Sequence, residues 1–172
     1  MIEKTPYTLL GILPNMLFNT IEYLLFLPIV VIFYFLLPHK LRWILLLAAS
    51  YFFYMSWKVE YVFLIAISTL IAYSSGVLME KYPGKKSKLL LLILNLSANL
   101  GILFFFKYFN FAAENINLLF DKLEIGKDIP LMSFLLPVGI SFYTFQALSY
   151  SIDVYFGKEK AEKHLGYFAL YV

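Results

Sequence analysis

This sequence contains no cysteine and few charged residues. Without cysteine, the chain has no disulfide bond, no thiolate nucleophile and no cysteine metal site, although this says nothing about its redox compartment. Only 15% of the 172 residues are charged and 62% are hydrophobic, whereas a soluble domain is about 25% charged and about 45–50% apolar. The composition therefore indicates a membrane protein, and the length fits one helix bundle.

Long basic runs and metal-binding motifs are missing too. The net charge is only +3, and no basic stretch is long enough to follow a phosphate backbone, so we expect no nucleic-acid partner. His39 and His164 each lie among lysines and are not spaced as a metal pair. We interpret both as solvated residues at the membrane interface and expect no metal and no bound cofactor. The lysines indicate contact with anionic membrane lipid.

Five apolar segments are predicted to cross or nearly cross a membrane, which takes about 20 apolar residues. They are Ile21–Leu37, Trp43–Trp57, Tyr61–Met79, Leu89–Phe106 and Leu131–Ile152. The first segment contains a proline that predicts a kink, and the second is short for a span. The sequence therefore predicts an all-α fold, a polytopic transmembrane helix bundle.

The polar connections between these segments predict an orientation. The turns at residues 38–42, 80–88 and 153–164 are expected on one side of the membrane. Lys107–Pro130, the longest polar connection, is expected on the other, and its apolar patch Ile116–Phe120 favours a short helix in the interface. The first side holds nine Lys and Arg residues. The second holds five, because Lys4 and Lys58 are counted there with the three lysines of Lys107–Pro130. Because basic residues favour the cytoplasmic side, the N-terminus is predicted to lie outside.

The two ends of the sequence carry separate expectations. Met1–Asn15 lacks the basic start and cleavage site of a signal peptide, and Met16 reads like a natural start, so residues 1–15 are predicted to be an upstream extension. The last eight residues begin a sixth apolar segment. Eight helical residues cover about 12 Å of a hydrocarbon core about 30 Å thick. We therefore expect residues 16–172 to be the N-terminal transmembrane portion of a longer protein, truncated in that segment.

Polar and small residues inside the third and fourth segments predict how the helices pack. Asn95 and Asn99 place two amides at membrane depth, where an unsatisfied polar group costs several kcal/mol. Hydrogen bonds between helices are favoured over a substrate contact, and both alternatives stay open. In the third segment, a group of small residues predicts close helix packing: Ser68, Thr69, Ser74, Ser75 and Gly76.

The fifth segment carries many hydrogen-bonding side chains for a membrane helix. One face of the helix collects residues spaced by four, three and four positions: Phe142, Gln146, Ser149 and Asp153. Ser151 lies off this face and is expected to contact lipid. The polar face either borders an internal space filled by water or substrate, or packs against protein with its groups satisfied. The residues alone do not decide between the two.

Leu135–Lys158, with the sequence LLPVGISFYTFQALSYSIDVYFGK, resembles the signature of the membrane-bound O-acyltransferase (MBOAT) family. The branch it resembles contains the bacterial alginate O-acetyltransferases and the D-alanyl transferase of teichoic acid modification. The stretches MLFNTIEYLLFLPIVVIFYFLLP, RWILLLAASYFFYMSW and FFFKYFNF are similar to that branch and follow in its order. The resemblance covers Met16–Val172 and implies that this chain is the N-terminal part of a many-helix fold.

The resemblance also implies an activity. Family members transfer an acyl group from a cytoplasmic or carrier-bound donor to a sugar or polyol hydroxyl at the outer face of the cell membrane, with one buried histidine as general base. Nothing in this sequence matches the segment of that histidine, so we expect no catalytic residue here and an inactive fragment. Gln146, Ser149 and Asp153 are expected to line or support the central chamber. The expected acceptor is alginate or another exopolysaccharide, and the acyl donor stays unidentified.

The alternative is a protein of another class: a complete small polytopic membrane protein, such as a transporter subunit or an assembly partner, without catalysis. It predicts a closed C-terminus and ionisable residues along a path through the membrane. The sequence shows no such path, and Asp153 lies at the end of a membrane segment rather than inside it. The downstream gene sequence separates the two hypotheses. Continuation into a tryptophan- and arginine-rich segment with a histidine favours the enzyme, and a stop codon after Val172 favours the small protein.

Overall fold

The computed structural model of the chain describes residues 20–56, 59–123, 129–131 and 139–172, with Glu60 described in its backbone only. The regular elements in this part are all helices: α1 Ile21–Leu36, α2 His39–Met55, α3 Val59–Lys81, α4 Lys85–Lys122, α5 Ile140–Phe156 and α6 Leu165–Tyr171. The prediction of an all-α protein is confirmed for these residues. Met1–Asn15, Met16 and Trp57 lie outside them.

Two of the helices are long and apolar enough to cross a membrane. They are α3, over Tyr61–Lys81, and α4, over its whole length. Helix α1 is apolar but shorter, with 16 residues. The chain is divided into two compact units, Met1–Thr69 with Glu162–Val172, and Leu70–Ala161.

The first unit contains a hairpin of α1 and α2. Thr20 caps α1 by accepting a hydrogen bond from the backbone N–H of Tyr23 at 3.4 Å. Helix α2 begins directly after Pro38, so the polar turn predicted at residues 38–42 is wrong: His39 to Arg42 form the first helical turn. Proline suits such a start because its missing N–H would have no partner there.

Helix α6 packs on α2 through aromatic rings. The Trp43 ring lies 4.9 Å from the imidazole of His164 and 5.7 Å from the ring of Tyr167, both edge-on. His164 also caps α6, because its Nδ1 accepts a hydrogen bond from the backbone N–H of Tyr167 at 3.3 Å. This exposed histidine therefore has a structural role in addition to the solvent exposure expected from its sequence context.

The second unit has a small core at the end where α3 finishes and α4 begins. Met79, Leu92, Val154 and Ala161 are buried together there. Glu80 Oε1 accepts a hydrogen bond from the backbone N–H of Ala161 at 2.9 Å, across 81 positions of sequence. The end of α3 and the connection after α5 are thereby held at one end of this unit, as the loop alternation predicted. Of the turn predicted at residues 80–88, only residues 82–84 lie between helices, because α3 continues to Lys81 and α4 begins at Lys85.

Helix α4 differs most from its prediction. It was expected to end at Phe106, with a polar connection from Lys107, but it continues to Lys122 as a helix of 38 residues. Neither glycine nor proline interrupts residues 102–122, and exposed polar groups satisfy themselves along the helix. Asn115 Nδ2, for example, donates to the carbonyl oxygen of Phe111 at 2.6 Å. The apolar patch predicted as a separate interfacial helix is part of α4.

Candidate functional site on helix α5

Helix α5 lies between two glycines whose backbone adopts the left-handed helical conformation. It begins after Gly139, with φ of 76°, nine residues later than predicted from sequence, and ends at Gly157, with φ of 72°. Beyond Gly157 the chain turns back, and the backbone N–H of Lys158 donates to the carbonyl oxygen of Asp153 at 2.9 Å. The Lys158 ammonium also lies 3.8 Å from the Asp153 carboxylate. Both contacts fix the end of the helix that carries the candidate residue Asp153.

One face of α5 is buried, and α5 packs against α4. Its members recur at the three- and four-residue spacing of a helix stripe: Ile140, Tyr143, Thr144, Ala147, Leu148, Ser151 and Val154. Most are apolar or small, which lets the two helices approach closely. This is the structural face of the signature segment.

The predicted polar face lies on the opposite side of the helix. Phe142 is 75% exposed, Ser149 is exposed, and Gln146 and Asp153 are half-buried. The candidate residues therefore share one face, as the spacing predicted, and that face lies opposite the buried one. Their role in lining a chamber stays a prediction, since the structure holds no substrate or partner.

The prediction for Ser151 is wrong. We expected it to face lipid, but its side chain is completely buried and its Oγ donates to the carbonyl oxygen of Ala147 at 3.1 Å. A serine whose hydroxyl donates a hydrogen bond to a carbonyl of its own helix is already satisfied, so it can lie in a packed face of that helix. Polarity alone therefore does not separate the packing face of α5 from the predicted chamber face.

We predict that Ser151→Leu destabilises the protein, because leucine adds atoms to a closely packed helix face. Overpacking of this kind costs typically about 1–3 kcal/mol. Ser149→Leu, two residues away on the exposed face, is the matched control and should leave the melting temperature in detergent unchanged. Equal melting temperatures for the two variants would contradict the assignment of the packing face.

Two buried amides lie on the inner face of α4. Asn95 and Asn99 are each 1% exposed. Asn99 Nδ2 donates to Asn95 Oδ1 at 2.7 Å and to the Asn95 backbone carbonyl at 3.1 Å. Within the described part of the chain, Asn95 Nδ2 has no hydrogen-bond partner. The two amides therefore satisfy each other only in part, and they do so along one helix.

Helices α3 and α5 meet where a tyrosine lies on a glycine. A Cβ atom added to Gly76 would stand 2.6 Å from the hydroxyl oxygen of Tyr150, so only glycine leaves room for this ring. Ser75 Oγ donates to the carbonyl oxygen of Leu91 at 3.3 Å, which links α3 to α4. The small residues of α3 did predict close packing, and it is confirmed here. Nothing in the sequence pointed to Tyr150 as the partner.

A side-chain contact between α4 and α5 was likewise not predictable from the sequence. Lys107 Nζ lies 3.4 Å from Ser141 Oγ, in the first turn of α5. Lys107 was assigned to a connection between helices, so its position beside α5 was not anticipated. The extension of α4 beyond Phe106 places it there.

Among the described residues, no group of three or more His, Cys, Asp or Glu side chains lies together that could hold a metal ion. His39 is exposed in the first turn of α2. His164 uses Nδ1 as a helix cap.

Comparison with known proteins identifies the relatives of the chain. It is 40% identical over 150 residues to the probable alginate O-acetylase of Pseudomonas putida and 38% identical over 150 residues to that of Pseudomonas aeruginosa, in each case over 86% of this chain. A peptidoglycan O-acetyltransferase of Helicobacter pylori is 34% identical over 148 residues, or 81% of this chain. The resemblance of the chain to the membrane-bound O-acyltransferase family is thereby confirmed.

The match to these membrane-bound O-acyltransferases is partial on their side. This chain spans 30% of the Pseudomonas putida protein, 28% of the Pseudomonas aeruginosa protein and 27% of the Helicobacter pylori protein. A match over 86% of 172 residues necessarily includes the middle of the chain, from α2 into α5. No protein-family model matches the chain. No solved structure matches it either.

Proposed function

We propose that this chain is part of a multi-pass enzyme of the cytoplasmic membrane that transfers acetyl groups to hydroxyls of a polysaccharide. The observation that carries the proposal is the 40% identity over 150 residues to a probable alginate O-acetylase. The apolar helices α3 and α4, each able to cross a membrane, agree with it. The expected orientation places the lysine-rich turn at residues 80–88 in the cytoplasm and the N-terminus outside.

Alginate or another exopolysaccharide is the acceptor we propose. Another relative, at 34% identity, is named peptidoglycan O-acetyltransferase. Because peptidoglycan contains a sugar polymer, this name also supports an acceptor of that class. The partners are then a membrane, an acetyl donor or an acyl-carrier partner, and the polymer. Transfer needs a general base on the acceptor hydroxyl, and we assign that role to none of the residues of this chain.

We propose that this chain contributes a polar face of α5 to the enzyme. One side of the helix is buried and the opposite side carries Gln146, Ser149 and Asp153. In hydrocarbon such groups are stable only where they meet protein, water or a polar ligand. We propose that this side borders the chamber in which donor and acceptor meet, and that the Lys158 contact holds Asp153 in position at its end.

The test measures ester-linked acetate on the polysaccharide made by cells that express the complete gene, normalised to the amount of enzyme in the membrane. We expect acetylation in the wild type and a loss in Gln146→Leu and Asp153→Asn of about tenfold, which corresponds to about 1.4 kcal/mol. That is within the cost of about 1–3 kcal/mol for leaving a buried polar partner unpaired.

Asn115→Leu is the matched control, because it makes the same amide-to-leucine change on α4 where the amide bonds only its own helix. Normal acetylation per molecule in Gln146→Leu, with a reduced protein level, would show that the polar face serves packing. No acetylation by the complete wild-type gene product would contradict the enzyme and favour the small membrane protein without catalysis.

A further inference from the structure

The hairpin of α1 and α2 contains an open apolar groove. Its volume is about 210 Å³. Apart from two hydroxyl groups, its lining is hydrocarbon and aromatic: Tyr23, Phe26, Leu27, Val30, Leu46, Ala49, Ser50 and Phe53. No residue of α1 is buried in the described part of the chain, and Leu27 in the groove is 47% exposed. The groove therefore opens on the surface of the hairpin.

Aromatic pairs lie at one end of the groove. The rings of Tyr23 and Phe53 lie 5.4 Å apart, and those of Phe26 and Phe52 lie 5.8 Å apart. Both pairs join the beginning of α1 to the end of α2. A ligand in the groove therefore extends from these rings towards the opposite end of the hairpin, where α2 begins.

That opposite end carries a positioned cation. Arg42 shares a helix stripe with Leu46 and Ala49, because the three are spaced by four and three residues. Its Nε donates to the carbonyl oxygen of Leu37 at 3.2 Å, and its guanidinium lies 4.8 Å from the centre of the Tyr34 ring. Tyr34 in turn continues the stripe of α1 four residues beyond Val30. The arginine is thereby fixed where the apolar groove ends.

The charges that α1 and α2 themselves place around Arg42 favour an anion. His39 and Lys40 are exposed beside it, and the first turn of α2 contains no acidic residue. The acid of α1, Glu22, lies in the first turn, at the other end of the hairpin. A guanidinium is the cation best suited to a phosphate, since its planar fork donates two parallel hydrogen bonds.

The length of this arrangement matches one lipid chain. Arg42 and Phe53 are eleven residues apart, which is roughly 16 Å along the helix. One leaflet of a bilayer has a hydrocarbon depth of about 15 Å, half of the core thickness. We propose that the groove between α1 and α2 binds one anionic phospholipid, with its acyl chain along the groove and its phosphate on Arg42. The proposal does not depend on the acceptor or on the donor of the acyl transfer.

The test uses the complete protein reconstituted in phosphatidylcholine vesicles that contain a phosphatidylglycerol with a photoactivatable diazirine in its acyl chain. After illumination, labelled peptides are mapped by mass spectrometry. We expect labels on Leu27, Val30, Leu46 or Ala49, and several-fold less label there in Arg42→Gln. A phosphatidylcholine probe with the same acyl chain should label the groove weakly and equally in wild type and Arg42→Gln.

Two further variants separate binding from damage to the hairpin. Arg42→Lys keeps the charge and should retain most of the labelling by the anionic probe. Ala49→Phe fills the groove and should remove labelling by both probes, whereas Lys85→Gln, at the start of α4, should change neither. The proposal is overturned if the groove residues are unlabelled in the complete protein, which would mean that another helix covers them. It is also overturned if Arg42→Gln reduces labelling by both probes in parallel.

Discussion

Gly76→Val is expected to lower the stability of the protein in detergent by about 1–3 kcal/mol, the usual cost of forcing extra atoms into a packed interface. Even the first added carbon would stand 2.6 Å from the Tyr150 hydroxyl oxygen and 2.9 Å from a ring carbon of the same side chain. The ring must then move away from α3, and the contact between α3 and α5 opens. Thermal unfolding followed by the loss of helical signal measures the effect.

Gly101→Val is the matched control for this prediction. Gly101 also lies inside a long helix, but an added Cβ would meet nothing within 4 Å. Valine has a higher helix propensity than glycine, so Gly101→Val should leave the protein as stable as the wild type or slightly more stable. If both variants lose stability equally, the loss belongs to the change of residue type and not to the contact with Tyr150.

Asn99→Leu should also destabilise the protein, because it removes the donor that satisfies Asn95 Oδ1 in a buried place. Leaving such a group unpaired costs about 1–3 kcal/mol. The double variant Asn95→Leu/Asn99→Leu removes both groups, and replacing both partners by apolar side chains of similar shape can be nearly neutral. We therefore expect the double variant to be more stable than Asn99→Leu alone.

The measurement is a double-mutant cycle on the melting temperature in detergent, with Asn95→Leu as the fourth member. An interaction energy of about 0.5–3 kcal/mol is expected for residues in direct contact. Additive losses would instead mean that each amide bonds separately to another helix. That result would support the hydrogen bonding between helices that the sequence favours.

Where helices exist was predictable here, and where they end was not. Long apolar stretches such as Leu89–Phe106 indicate helices because a chain in hydrocarbon must satisfy its own backbone hydrogen bonds. Polar residues such as Lys107 and Asn115 predict the end of a membrane helix. They are equally stable on the exposed side of one that continues into water, so composition did not reveal that α4 extends to Lys122.

The candidate site on α5 was predictable in its periodicity but not in its packing. The spacing of Gln146, Ser149 and Asp153 fixed which residues share a face. Whether a serine such as Ser151 meets lipid or a neighbouring helix depends on which helix lies alongside, and that is set by contacts distant in sequence. The contact of Tyr150 with Gly76 is of this kind, since 74 positions separate the two residues.

The length of α4 determines how far its C-terminal part extends beyond the hydrocarbon core of the membrane. Thirty-eight helical residues extend about 57 Å, roughly twice the hydrocarbon thickness. If the apolar part up to Phe106 crosses the core, Asn117 stands about 16 Å past its edge. There its side-chain amide pairs with both the N–H and the carbonyl of Ile129, at 2.8 and 2.9 Å. Ile129 is thus hydrogen-bonded to a part of α4 that lies outside the hydrocarbon, and any tilt of the helix in the bilayer moves Ile129 sideways over the membrane surface.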